Sequence, residues 1–127
     1  MPHTIRIIGP WNARFIQDGT EHVEVFRVPG ELTFVENQTE IRLVRAFNCP
    51  TGLDSNSKVG IEIEGELGKG FSLNLNGHPL DSPSENERRF PVQHLLESSN
   101  QLTIRIGAND RESIRLDLVQ LVIDESD

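Results

Sequence analysis

Tyrosine is absent from this 127-residue chain, and six Phe and one Trp are its only aromatic residues. That poverty disfavours binding by a stacked array of rings, a common way of holding sugars and single-stranded nucleic acids. A single cysteine, Cys49, rules out an internal disulfide and implies no oxidising compartment. No window approaches the roughly 20 apolar residues of a membrane-spanning helix. The N-terminus, Met1-Pro2-His3-Thr4-Ile5-Arg6-Ile7-Ile8, carries no apolar signal core, so a cytoplasmic location is the default expectation. Positive charge is also scarce: 12 Lys and Arg against 20 Asp and Glu give a net charge of -8. Without clustered cations, nucleic acid and anionic membrane surfaces are excluded as partners. The acidic end, Asp124-Glu125-Ser126-Asp127, reads as a solvated tail.

What the chain does have is alternation. Thr4 to Ile8 is a β-rich run stopped by Gly9-Pro10, and Ala13 to Gln17 and Glu21 to Val28 flank Asp18-Gly19, a tight-turn pair. After Pro29-Gly30 come short runs over Leu32 to Val35 and Glu40 to Phe47. In the latter, Ile41 and Leu43 share a face, and a phase change near Val44 predicts a bulge or burial on both sides. Asn48 to Ser57 is a loop of turn formers. Val59, Ile61 and Ile63 alternate with Gly60, Glu62 and Glu64. Phe71, Leu73 and Leu75 alternate with Ser72, Asn74 and Asn76, and Leu102, Ile104 and Ile106 with Thr103 and Arg105. The last run, Ser113 to Ile123, places Ile114, Leu116 and Leu118 inward, but Leu121 and Ile123 fall on the other parity. A bulge near Val119-Gln120 follows. Val92 to Glu97 is the one short helical candidate. About eight strands with regular turn signals predict an all-β antiparallel sandwich, with residues 1–127 as one domain.

The order of these pieces carries a family resemblance. Arg45-Ala46-Phe47-Asn48 leads to Val59-Gly60-Ile61-Glu62-Ile63. Leu73-Asn74-Leu75-Asn76-Gly77, Phe90-Pro91-Val92, Leu95-Leu96 and Asn100-Gln101-Leu102-Thr103-Ile104 follow. The succession from Arg45 to Ile106 resembles the non-catalytic sugar-binding jelly-roll domain of β-galactosidase- and β-glucuronidase-type glycoside hydrolases, a domain of the galactose-binding-like fold. The resemblance implies a jelly-roll sandwich acting as an accessory, carbohydrate-binding-like module. The matched positions are turn and core residues rather than reactive groups.

No constellation in the sequence predicts catalysis. Gly65-Glu66-Leu67-Gly68-Lys69-Gly70 lacks the spacing and the following Ser or Thr of a phosphate loop, and reads as a hairpin connection. Cys49 has four histidines to draw on (His3, His22, His78, His94), yet a lone Cys after an apolar strand reads as a small buried hydrophobe. His78 and His94 lack the close spacing and the third partner of a zinc site. Glu62 and Glu64 share a strand face, which reads as solvated and paired across strands with Arg105 or Arg115. Asp54-Ser55-Asn56 and the loop from Asp81 to Asn86 offer calcium-type oxygens, but turn chemistry explains them much more readily. The sequon Asn37-Gln38-Thr39 has no export signal behind it. The expectation is therefore no catalytic residue, no metal and no cofactor.

Ligand contact falls to Trp11, the sole Trp, whose ring can either stack on a sugar or plug the sandwich edge. Arg88 and Arg89, suited to an anionic ligand or a partner's carboxylate, and His78 beside the Asn76-Gly77 turn complete the candidate set. Two functions stay open: a carbohydrate-binding-like module, or a protein-interaction and assembly module with no small-molecule ligand.

Overall fold

The computed structural model describes residues 3–17, 20–34, 40–53, 56–67, 71–80, 89–107 and 113–125. The Asp18-Gly19 turn, the sequon, Asp54-Ser55, Gly68 to Gly70, the loop from Asp81 to Arg88, and Ser126-Asp127 lie outside them. The chain is an all-β antiparallel sandwich, as the alternation predicts. Its strands are β1 (His3–Arg6), β2 (Trp11–Gln17), β3 (Thr20–Phe26), β4 (Gly30–Thr33), β5 (Glu40–Asn48), β6 (Ser57–Glu66), β7 (Phe71–Leu75), β8 (His78–Leu80), β9 (Arg89–Pro91), β10 (Ser99–Gly107) and β11 (Ser113–Glu125).

One sheet runs β3-β2-β5-β10-β7-β8. The other runs β1-β11-β6-β9, with β4 also pairing β11. β1 takes residues 120–123 of β11 and β4 takes 113–116, so two short strands share the flank of one long one. The alternating apolar residues of both sheets point at each other. Ile41, Leu43, Leu75, Leu102, Ile104 and Ile106 from one sheet meet Ile61, Ile63 and Leu116 from the other, all at 0% exposure. Each such side chain contributes about 1.5–3 kcal/mol by leaving water, and one continuous cluster joins them.

Two sequence expectations change, the helix and the place of the bulge in β11, and at Val44 the second of the two alternatives, cover on both faces, is the one found. No helix forms at Val92 to Glu97: a single turn closes through Leu95 N to Val92 O at 2.8 Å. Val92 N donates to Val59 O at 2.8 Å, which ties the segment to β6, and Glu97 N donates to Asn100 Oδ1 at 2.8 Å rather than to the carbonyl of Gln93, so no second helical bond follows. No bulge occurs at Val44. Its strand pairs β10 and β2 without a break, and Val44 is half-buried on the outer face between Asn12 and Thr103. The bulge in β11 falls earlier than expected, between Leu116 and Leu118. Past it the inward parity becomes Val119, Leu121 and Ile123, and Leu118 turns outward and is half-buried.

Cross-strand charge pairing also departs from expectation. Glu62 meets Arg89, whose Nη2 donates to Oε2 at 3.0 Å, and Gln120, whose Nε2 donates to Oε1 at 3.0 Å. Arg115 lies between Glu31 and Glu66 and donates from Nε to Asp117 at 2.9 Å. Arg105 belongs to the other sheet.

Candidate functional site

Asn76-Gly77 joins β7 to β8 as a two-residue hairpin loop, with Leu75 paired to His78. Both loop residues have positive φ, 54° at Asn76 and 85° at Gly77, the type I′ geometry that matches strand twist. Asn tolerates that conformation, and its side chain is put to further use. Asn76 Oδ1 accepts from Gln101 N at 2.8 Å, and its Nδ2 donates to Leu95 O at 3.2 Å and to Asn100 Oδ1 at 2.9 Å. Asn100, 1% exposed, accepts from Glu97 N and donates to Glu97 O, each at 2.8 Å. The two asparagines fasten the hairpin, the start of β10 and the preceding loop into one rim. From sequence, Asn76 reads as turn chemistry alone and Asn100 as the entry to a strand. Their pairing needs the register to be seen.

Beside this rim, on the outer face of the six-stranded sheet, lies an open recess of about 500 Å³. Its floor carries Ala46, Asn74, Gln101 and Thr103, and its rim Asn76, Gly77, Glu97, Ser99 and Asn100. Amides and hydroxyls dominate the lining, which contains no aromatic ring and one carboxylate, Glu97. Such a surface can exchange hydrogen bonds with a polyhydroxylated ligand. It offers neither a nucleophile with an adjacent base nor a pair of carboxylates.

Further along the same face, Glu40 is clamped by two guanidiniums. Arg42 Nε donates to Oε2 at 2.6 Å, and Arg105 donates to Oε1 from Nε at 3.1 Å and Nη2 at 2.8 Å. Burial pushes the Glu40 pKa up, but the hydrogen bonds and charges of Arg42 and Arg105 together outweigh it and hold the group below the usual 4.5. A carboxylate with a depressed folded pKa stabilises the fold above its unfolded pKa, and that contribution is lost as pH falls through the folded value. Glu40→Gln is therefore expected to unfold at lower urea concentration than the parent at pH 7, by about 1 kcal/mol given partial exposure. The gap should narrow as pH falls below 4.5 and through the lower folded value. A constant gap across that range would show that the ion pairs contribute nothing.

The candidate residues from the sequence are not gathered in one place. Trp11 is 0% exposed in the core, and its indole Nε1 donates to Ile7 O at 3.1 Å. Its ring faces are therefore packed by protein, and the ring acts as the sandwich plug. His78 is exposed at the start of β8, at the edge of the six-stranded sheet. Arg89 is on β9, on the opposite sheet, where its stem lies over Gly60 and its head reaches Glu62 and, at 4.0 Å, Asp124. There it borders a smaller recess of about 370 Å³ with Lys58, Gln93, Val122 and Asp124. Arg88 lies outside the described residues. Cys49 is half-buried and, among the described residues, has no hydrogen bond to a histidine. Among the described residues there is also no group of three or more His, Cys, Asp or Glu placed to hold a metal, and no helix long and apolar enough to cross a membrane.

The sheets, their order and the tied hairpin define an antiparallel jelly-roll-type sandwich. That fold recurs inside two solved enzymes. An FMN-binding β-glucuronidase from Facaelibacterium prausnitzii L2-6 superposes on 97% of this chain with a TM-score of 0.73 and 18% identity. A β-glycosidase from Bacteroides vulgatus superposes on 97% with a TM-score of 0.71 and 15% identity. The chain spans about a fifth of each enzyme, 22% and 20%. In fold, these neighbours are of the kind that the strand-turn pattern from Arg45 to Ile106 resembles. No protein-family model matches the sequence, and neither does any curated protein sequence.

Proposed function

We propose that the chain is a non-catalytic accessory module that binds a carbohydrate on the outer face of its six-stranded sheet. The observation that carries this reading is the recess floored by Asn74, Gln101 and Thr103 and held open by the Asn76–Asn100 clamp. Its groups are hydrogen-bond donors and acceptors fixed on strands, which suits ligand hydroxyls and suits no bond-breaking step. The fold shared with a fifth of two glycoside hydrolases supports the reading, because such a segment can position a saccharide without cleaving it. Where the ligand lacks rings to stack on, affinity rests on many weak polar contacts and stays modest.

A glycan array with the purified chain tests this. Binding should appear for at least one glycan class and fall several-fold in Asn74→Leu, which removes a floor amide from a half-buried outward position. Trp11→Phe should leave it unchanged, because that ring is in the core. Absence of binding to every glycan overturns the proposal.

A second reading has an observation of its own. β3 ends its sheet, and Val23 and Val25 on it are 51% and 68% exposed. Antiparallel pairing with β3 of a second copy, centred on Val23, would set His22 of each chain against Glu24 of the other. It would also bury the central Val23 pair. A concentration-dependent dimer in light scattering, lost in Val23→Lys and unaccompanied by glycan binding, favours this assembly reading.

A further inference from the structure

The two outer faces treat their arginines in opposite ways. On the sheet β1-β11-β6-β9 the cross-strand rule is obeyed: Arg89 is registered with Glu62, and Arg115 with Glu31 and Glu66. On the six-stranded sheet it is broken. Arg14 on β2 is registered with Arg42 on β5, and Arg42 with Arg105 on β10, so three arginines stand in one row across three adjacent strands. Like charges directly opposite one another destabilise a sheet. In a chain with 20 acidic residues, any of these positions could carry a neutralising partner. Among the described residues only Glu40 enters the row, against two of the three cations, and Arg14 has an exposed ion pair with Glu21 at 3.5 Å.

The row borders the recess. Arg105 and Thr103 share the outer face of β10, two residues and about 7 Å apart. Ser72 and Asn74 lie beside them on β7. A sugar ring lying over Thr103 and Asn74 therefore has its substituents within reach of the Arg42 and Arg105 side chains. Each guanidinium has five N–H donors, and Glu40 accepts one from Arg42 and two from Arg105. Both side chains are about half exposed, at 43% and 51%. The planar fork of a guanidinium matches a carboxylate in two-point contact.

We infer that the ligand of this face is an acidic saccharide, with a uronate carboxylate held by the Arg14–Arg42–Arg105 row and ring hydroxyls by Asn74 and Thr103. This rests on the carbohydrate-binding reading above and deepens it. Glu40 is then an internal competitor: it holds Arg42 and Arg105 in place without ligand and shares them when the uronate arrives. The unfavourable row persists because an anion completes it, and salt weakens the complex by screening that contact.

Calorimetric titration of the intact chain with tetragalacturonate and with its carboxyl-reduced, neutral counterpart separates the possibilities. The acidic form should bind about tenfold more tightly than the neutral one at low salt. Arg105→Gln and Arg14→Gln should each bring the two ligands closer together. Arg14→Gln is the safer variant for folding, because it removes one cation from a repulsive row and only an exposed ion pair. Glu40→Gln should move the other way and tighten the acidic ligand, with folding of each variant checked by thermal melting. Equal binding of both ligands, with the arginine variants unchanged, overturns the acidic-ligand inference and leaves the carbohydrate-binding reading standing. If neither ligand binds and a neutral-glycan array is also blank, both fall together.

Discussion

Asn100→Ala should lower the unfolding free energy by about 3 kcal/mol and Tm by about 10 °C, a large loss for one side chain of modest size. The reason is what the truncation leaves behind. Asn100 is 1% exposed, and its amide answers both the N–H and the carbonyl of Glu97 and accepts a hydrogen bond from Asn76 Nδ2. Removing it empties a buried polar position and strips the Glu97 backbone groups and Asn76 of a partner at a part-buried turn, and polar groups left unanswered cost more than the bonds themselves contribute. Asn76→Gly is the informative comparison. Glycine keeps the positive φ of 54° at the turn but removes the contacts to Leu95, Asn100 and Gln101. Leu95 is half-buried and Gln101 exposed, so their backbone groups can turn to water, and Asn100 keeps its bonds to Glu97; a smaller loss of about 1–2 kcal/mol is expected. Urea denaturation of both variants checks the order. If Asn76→Gly proved the more damaging, the buried amide of Asn100 would not be the anchor. Because Glu97, Ser99 and Asn100 form the recess rim, Asn100→Ala should also weaken any ligand seated there, even in the folded fraction.

The sequence makes the scaffold legible wherever a strand has one dry face. In Val59-Gly60-Ile61-Glu62-Ile63, Phe71 to Leu75 and Leu102 to Ile106 the period of two is unbroken, and the structure buries the apolar set of each, with Phe71 only partly covered at the start of its strand. The Asn76-Gly77 turn follows from residue type, since few pairs adopt two consecutive positive φ values without strain. Strands of three residues, β8 and β9, are too short for alternation to show, which is why neither is readable from the sequence although both form among the described residues. Leu118 and Val119 are adjacent and both apolar, so the pattern in β11 records that the phase changes without recording where.

The candidate site was less accessible for a different reason. A binding surface on a sheet face is assembled across strands, and its members are far apart in the chain. Arg14, Arg42 and Arg105 become neighbours only once β2, β5 and β10 are known to be adjacent and in a particular register. The adjacent pair Arg88-Arg89 stands out in the sequence because it is contiguous, yet Arg89 lies on the other sheet, paired with Glu62. Trp11 stands out as the only Trp, and the interior of the sandwich takes it. Contiguity and rarity are visible in one dimension, whereas a cross-strand row is not.

The largest effect is expected at Gly65, where substitution by alanine should destabilise the chain by about 3 kcal/mol or more, through steric overlap together with an unfavourable backbone angle. Gly65 is paired with Leu116 at the point where β11 shifts register against β6, and its φ is +153°. A Cβ there would stand 2.3 Å from Arg115 O and 2.9 Å from Leu116 Cα. Both are backbone atoms of the paired strand, so no side chain can swing aside. Relief requires the two strands to separate or the bulge to disappear. Losing the bulge would restore strict alternation and send Val119, Leu121 and Ile123 to the outer face, since a one-residue slip inverts every side chain. Gly77→Ala provides the control. Its φ of +85° is also unfavourable for alanine, but nothing lies within 4 Å of the added methyl, so only a conformational penalty of about 1 kcal/mol applies. Thermal unfolding should therefore rank Gly65→Ala far below Gly77→Ala. Equal losses would mean that the close approach at the bulge is not what demands glycine there, and that the phase change in β11 is fixed by its own side chains.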